Sequence, residues 1–231
     1  MVRQVICSEC STCARGLFGC LTESQLARLM ESRSSHSYAP GQPLFYEGNP
    51  AFAVYCIREG LIKLWRSGHN GDQHVIQTQG KGDLVGSREV FARRPYAVTA
   101  EPLGPFIACT IPGETFISLV QENHALANGL LRKLAVETIE TEDTIVARAL
   151  YHVRQRTARF LLHLAPADAG AANQPLVIRL PWRREEMAHL IGTTPETLSR
   201  ALHAFAAQQV LEIRRREIRL LDIASLRRTA S

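Results

Sequence analysis

The chain has 231 residues, 45% apolar and 21% charged, enough for two modest domains with buried cores. No apolar run approaches the roughly 20 residues that cross a bilayer, and the first residues lack the apolar stretch of a signal peptide, so a cytoplasmic protein with no membrane partner is expected. The net charge of +5 is unevenly held: residues 1–150 carry 14 Lys and Arg against 15 Asp and Glu, whereas residues 151–231 carry 13 Arg, no Lys and 7 acidic residues.

Four of the six cysteines, Cys7, Cys10, Cys13 and Cys20, fall in the first 20 residues. In a reducing compartment such crowding argues for metal or redox chemistry over a disulfide framework. Leu21 to Met30 then reads as a short amphipathic helix with Thr22 as its N-cap, the hydroxyl accepting from a first-turn N–H. From Tyr38 to Pro112 short strands alternate with turns. The expected strands are Leu44–Tyr46, Val54–Ile57, Leu61–Trp65, Val75–Gln77, Tyr96–Ala100 and Phe106–Ile111. Turns are expected at Pro40-Gly41, at Glu47 to Pro50, at His69 to Asp72 and at Gly80 to Asp83. Strands at this regular spacing point to a barrel or jelly roll. Cys56 lies inside one of them and reads as a core residue. The eight histidines show no metal-ligating spacing.

Glu114 to Ala165 is helical in pattern, with Leu126, Leu130 and Leu134 four residues apart and no proline. It is too long for one ordinary helix, so two are expected, with a break near Leu150–Arg154. A long helix between domains serves as a dimer seam or packs on its own barrel. A loop at Ala165–Pro175, a strand at Leu176–Leu180, two helices and a small hairpin complete the chain.

The sharpest motif runs from Arg183 to Arg200. Ala188 is small where two helices cross, Gly192 sits four residues on where a tight turn needs positive φ, and Leu198 follows six residues later to pack the second helix on the first. This is helix-turn-helix spacing. Thr194 is a good N-cap and Pro195 suits the first helical position. Glu196, Ser199 and Arg200 share one face near the start of the second helix, the part of a recognition helix that reaches base edges. Arg200 matches guanine O6 and N7, and Glu196 a cytosine amino group, while Thr194 and Thr197 flank them. The same Glu196–Arg200 spacing also suits a plain helical ion pair. Val210 to Leu220 alternates and turns on Arg214, Arg215 and Arg216, which reads as a wing near phosphate. The arginine-rich final third is the electrostatic footprint expected of such a reader.

With these features the chain resembles the CRP/FNR family of bacterial regulators over nearly its whole length. The resemblance is carried by Gly41-Gln-Pro-Leu-Phe-Tyr-Glu-Gly48, Gly82-Asp-Leu-Val-Gly86, Cys109-Thr-Ile-Pro-Gly-Glu114 and the Thr197-Leu-Ser-Arg200 segment after Glu196. It implies an α+β protein: a cysteine-rich segment (1–20), an N-terminal β-roll of the cyclic-nucleotide-binding, jelly-roll type (21–122), a long dimerisation helix (123–150) and a C-terminal winged helix-turn-helix (151–231). Glu-x-x-Ser-Arg in the recognition helix is similar to the FNR branch, which implies a homodimer on a TTGAT-like inverted repeat of double-stranded DNA. RNA polymerase is a further implied partner, through the 86–95 loop. In the cyclic-nucleotide branch a Glu follows the second glycine of Gly82–Gly86 and an Arg-Ser pair holds the phosphate. Here Ser87 and Pro95-Tyr96 stand in those places, so cyclic AMP is not expected to bind.

The FNR resemblance also implies an oxygen-responsive [4Fe-4S] cluster held by three N-terminal cysteines and one in a barrel strand before Ile-Pro. Cys109 matches the strand position. Cys10-x2-Cys13-x6-Cys20 falls between the spacings known in the family, and a set that includes Cys7 is an alternative. Four thiolates suit such a cluster. They equally suit a four-cysteine zinc site or a thiol switch, and Cys20 also reads as a helix-packing residue. An enzyme with reactive thiols is the rival from another class, but no nucleophile–base pair is visible and the winged domain would be unexplained.

Overall fold

The computed structural model describes residues 16–68, 71–165 and 176–231. Cys7, Cys10 and Cys13, the His69-Asn70 half of one expected turn and most of the Ala165–Pro175 loop lie outside the described residues. The chain divides into two compact units, the first ending at Thr138 and the second starting at Ile139.

The described part of the first unit begins with a 3₁₀ turn, Leu17–Cys20, followed by helix α1, Glu23–Ser32. Thr22 caps α1 as the sequence indicates: its hydroxyl accepts from the Gln25 N–H, and the Gln25 side chain accepts from the Thr22 N–H. This reciprocal box satisfies two otherwise orphaned donors. Strands β1 (Ser34–Tyr38), β2 (Ala53–Glu59), β5 (Leu84–Val85) and β7 (Phe106–Pro112) form a sheet ordered β1-β7-β2-β5. Strands β3 (Leu61–Ser67), β4 (Gln73–Gly80) and β6 (Thr99–Pro102) form a second, ordered β4-β3-β6. Every ladder is antiparallel. Phe45, Ile57, Ile62, Leu64, Ala100 and Phe106 make a core between the sheets. A short helix, α2 (Ser87–Ala92), follows β5.

Two expected strands are shorter than their composition implies. Leu44–Tyr46 forms only an isolated bridge, Phe45 to Ala100. The Tyr96–Ala100 strand begins at Thr99, because Tyr96 turns inward to stack on Phe45 with ring centroids 3.7 Å apart. Its backbone stays paired outside the ladder: the Tyr96 N–H donates to the Asn49 carbonyl and the Tyr96 carbonyl accepts from the Gly48 N–H, each at 2.9 Å.

Helices α3 (Gly113–Glu122), α4 (His124–Leu150) and α5 (Val153–His163) replace the two helices expected after Glu114. The break near Leu150 is present. The additional break falls at Asn123, whose φ of −123° and ψ of 102° are extended. Its Oδ1 accepts from the Leu126 N–H, capping α4, while Nδ2 donates to the Cys20 carbonyl and to Gln25 Oε1. One asparagine thus starts α4 and ties it to the Leu17–Cys20 turn. The outer face of β2 and β7 packs with Phe18, Leu29, Phe116, Leu119, Leu126 and Leu130 in a second core. Burying each such side chain contributes about 1.5–3 kcal/mol. Lys133 of α4 binds Asp83 and Glu137, each at 3.1 Å. Burial alone would lower the Lys133 pKa, but the two carboxylates outweigh it and raise it.

The second unit contains the remainder of α4, α5, strand β8 (Leu176–Arg179), helices α6 (Arg184–Ile191) and α7 (Pro195–Ala207), hairpin β9 (Leu211–Arg214) and β10 (Glu217–Leu220), and a final helix α8 (Ile223–Ala230). β10 lies between β8 and β9 in an antiparallel sheet. Leu161, Leu198, Leu202, Phe205, Ile218 and Leu226 are fully buried. No described helix is long and apolar enough to cross a membrane.

Candidate nucleic-acid interface and thiol site

The turn between α6 and α7 has the geometry its residues demand. Gly192 ends α6 at φ 77°, ψ 49°, the left-handed region. The Thr193 N–H reaches back to the Ala188 carbonyl at 2.9 Å and the Gly192 N–H to that of His189 at 3.0 Å, a Schellman closure. Thr194 Oγ1 accepts from the Thr197 N–H, and Pro195 opens α7. Ala188 and Leu198, both at 0% exposure, pack the two helices together.

On the free side of α7, Glu196 and Arg200 are exposed while Thr197 and Ser199 are half-buried. Thr194, Thr197 and Arg200 form one set: Arg200 Nη2 donates to Thr197 Oγ1 at 3.1 Å, and Thr194 Oγ1 lies 3.1 Å from the same oxygen. Among the described residues no ion pair joins Glu196 to Arg200, so the helical pair their spacing allows is not formed. The Glu196 carboxyl is held below the usual carboxylate range by its own backbone N–H first, then by Thr194 and the Arg200 charge. Arg214, Arg215 and Arg216 are all exposed on the β9–β10 hairpin, a separate element, and Arg215 at its tip has φ 48°. Arg214 pairs with Glu212 at 3.3 Å.

Sequence patterning does not disclose a second pair of arginines that grips this turn from behind. Arg148, in the last turn of α4, donates to the His189 carbonyl at 3.3 Å, and its side chain lies against Gly192. Arg156 of α5 donates to the carbonyls of Gly192, at 3.0 Å, and Arg148, at 2.9 Å. Burial, then the nearby Arg148 charge, lower the Arg156 pKa. Two exposed-looking arginines in a helical pattern give no sign of this role; only the turn's position in space reveals it.

In the first unit Cys109 lies in β7, 7% exposed, and its Sγ accepts from Arg33 Nη1 at 3.3 Å. Cys20 is exposed at the end of the 3₁₀ turn, its Sγ 3.4 Å from the Leu17 carbonyl. Phe18 of that turn enters the core cluster that contains Cys109 and Cys56. Among the described residues no three His, Cys, Asp or Glu side chains converge as a metal site. Of the expected thiolate set, then, Cys20 and Cys109 fall on elements that share one core. Thiol donors are chemically fitted to iron–sulfur or zinc.

The space beside Gly86 and Ser87 is nearly filled. A cavity of about 10 Å³, bounded by Phe45, Leu64, Val85, Gly86, Ser87 and Val98, has room for about one water. The Tyr96 ring lies so close that a Cβ on Gly86 would meet its Cε1 at 2.8 Å, and the Tyr96 hydroxyl donates to the Ala53 carbonyl at 2.6 Å.

A β-roll of the cyclic-nucleotide-binding type, a long helix and a winged helix-turn-helix define a DNA-binding transcription regulator, not an enzyme. Residues 35–123 match the cyclic nucleotide-binding domain and residues 155–229 the Crp-like helix-turn-helix domain, and the chain belongs to the CRP/FNR family of regulators. It is 27% identical over 221 residues to the fumarate and nitrate reduction regulatory protein of Vibrio cholerae, covering 95% of this chain and 88% of that one. It is 25% identical over 215 residues to the CRP-like cAMP-activated global transcriptional regulator of Mycobacterium tuberculosis, covering 93% and 96%. In fold it is similar to FixK2 from Bradyrhizobium japonicum, with a TM-score of 0.74 and 22% identity over 86% of this chain and 98% of that one.

Proposed function

We propose that this regulator is an FNR-like redox sensor. In this reading a [4Fe-4S] cluster is held by Cys10, Cys13, Cys20 and Cys109, with Cys7 as the alternative ligand. A homodimer joined along α4 reads a TTGAT-like inverted repeat through Glu196, Ser199 and Arg200. Thr194 and Thr197 order that face, Arg214, Arg215 and Arg216 meet phosphate, and the 86–95 loop meets RNA polymerase. The observation that carries the redox reading is the shared core of Cys109 and the Cys20 turn, reached by Phe18. When bound, the cluster supplies an oxygen- and nitric-oxide-labile link between these segments. The chain's own residues do the rest. Asn123 connects the Cys20 carbonyl to the start of α4, and α4 carries Leu131, Ile139, Val146 and Leu150 exposed. These four lie within about 100° around the helix axis, an apolar stripe suited to a second copy. The near-filled space beside Gly86 and Ser87, with the Tyr96 ring close against Gly86, supports an effector other than a cyclic nucleotide.

The test is anaerobic purification with iron and sulfide assay and a visible spectrum, then exposure to air, with affinity for the inverted repeat measured before and after. The expected result is a coloured, iron-containing dimer whose affinity falls in air. A colourless, iron-free protein with full DNA affinity would sink the reading. Stoichiometric zinc in its place would convert the site to the four-cysteine zinc alternative.

A further inference from the structure

The sheet register sets Cys56 of β2 directly opposite Cys109 of β7. Directly opposed residues of antiparallel strands have Cα atoms about 4.5–5.5 Å apart, inside the roughly 4.4–6.8 Å that a disulfide spans. The two side chains leave the same face of the sheet, since both belong to the core cluster that also takes Val54 and Ile111, two residues from each. Neither cysteine is joined in a disulfide, and each is 7% exposed. The guanidinium of Arg33, at 3.3 Å from Cys109 Sγ, fixes one of the two sulfurs from the α1 side.

We infer that Cys56 and Cys109 are a redox modification site, a cross-strand pair that closes reversibly to a disulfide under peroxide. The Cys109 sulfur attacks one oxygen of hydrogen peroxide. The O–O bond breaks, and the departing hydroxide leaves as water with the thiol proton, giving a sulfenic acid. The Cys56 sulfur then attacks the Cys109 sulfur. The S–O bond breaks and the hydroxyl leaves as a second water with the Cys56 proton. Two thiols lose two electrons and the peroxide gains them. A dithiol reductant reverses the step by exchange. The disulfide stands on the register alone. Its consequence for the sensor rests on the reading above: a Cys109 tied to Cys56 is withdrawn from the cluster ligands.

The experiment uses the full-length chain with Cys7, Cys10, Cys13 and Cys20 changed to Ser, so that no N-terminal thiol competes. The protein is reduced, treated with hydrogen peroxide, blocked with a thiol-alkylating reagent and digested with trypsin without reduction. Cleavage at Arg and Lys leaves Cys56 and Cys109 in separate peptides with no other cysteine. The expected result is a linked peptide pair, loss of both titratable thiols, and recovery of both with dithiothreitol. Unlinked peptides, or Cys109 carried to sulfinic acid with Cys56 untouched, would overturn the inference. The Cys56→Ala variant, with its circular dichroism and melting checked against the parent, must lose the link. In the wild-type chain, peroxide treatment before anaerobic reconstitution should block iron uptake until a thiol reductant is added. A linked pair that still takes up iron in full would fault Cys109 as a cluster ligand and leave the disulfide standing.

Discussion

Replacing Gly192 with alanine separates two reasons for glycine at the helix-turn-helix corner. The first is conformational: at φ 77° an L side chain costs about 1–2 kcal/mol. The second is space. A Cβ would lie 2.7 Å from Arg148 Nε and 3.1 Å from Arg148 Cδ, so the arginine must swing aside and release the His189 carbonyl. Because Arg148 is exposed and its bond is long, that loss is worth about 0.5 kcal/mol. Gly192→Ala should therefore cost about 1.5–2.5 kcal/mol. Gly192→Asn keeps the crowding, but asparagine tolerates the left-handed region, so it should cost about 1 kcal/mol less. The assay is urea unfolding followed by fluorescence of Trp182, which is buried in the second unit, in a Trp65→Phe background. An alanine variant costing under about 0.5 kcal/mol, or an asparagine variant as costly as alanine, would refute the conformational account.

Three further outcomes are expected. Arg200→Ala should weaken binding to the inverted repeat by about 1–3 kcal/mol and relax preference at one G·C position, with the urea midpoint unchanged. Uniform weakening across sequences would make Arg200 a phosphate contact. Ile139→Glu places charge on the exposed stripe of α4. Losing about 1.5–3 kcal/mol of apolar burial in each copy should raise the dimer dissociation constant at least about 100-fold by sedimentation, and an intact dimer would remove this stripe from the seam. The Glu122 carboxyl is held below the usual carboxylate range by its hydrogen bond from Arg28, then by Ser118. A carboxyl lowered on folding adds stability above its unfolded range and loses it as pH falls through the lowered value. A carbon-13 titration of Glu122 should inflect below the usual glutamate range and move up toward it in Arg28→Ala, where the Ser118 bond remains; an ordinary titration in the parent would refute it.

The helix-turn-helix was legible because its constraints are local. Gly192, Thr194, Pro195 and Leu198 each answer a backbone or packing need within a few residues, and the turn forms as their order indicates. The barrel was legible in outline for a similar reason, through turn residues that punctuate apolar runs. What escaped depends on distant partners. Strand β1, Ser-Ser-His-Ser-Tyr, has no apolar alternation and exists because β7 supplies its ladder. The break at Asn123 is invisible beside its helical neighbours, because the cap it makes is paired with bonds to Cys20 and Gln25 about a hundred positions earlier. Cys56 reads as filler until register sets it against Cys109. The thiol ligands are the least legible part: spacing alone leaves three sets open, Cys10 with Cys13 and Cys20, or Cys7 and Cys10 with either Cys13 or Cys20.

In the redox reading proposed above, that same asparagine carries a signal from the cysteines to α4. A ligand shifts a conformational equilibrium only by its differential affinity for the two states, so a sensor needs a bond whose partners differ between them. Asn123 is bonded on both sides of such a junction: Nδ2 to the Cys20 carbonyl, Oδ1 to the Leu126 N–H in the first turn of α4. Fixing Cys20 therefore favours the capped start of α4, where Leu126 and Leu130 pack in the core that holds Cys109. Asn123→Asp keeps the accepting oxygen and removes the donor, so it should leave α4 capped and cut the tie. The expected result is a protein of unchanged helicity whose dimerisation no longer responds to air. If Asn123→Asp responds as the parent does, coupling runs through the Cys109 core and not through this hydrogen bond.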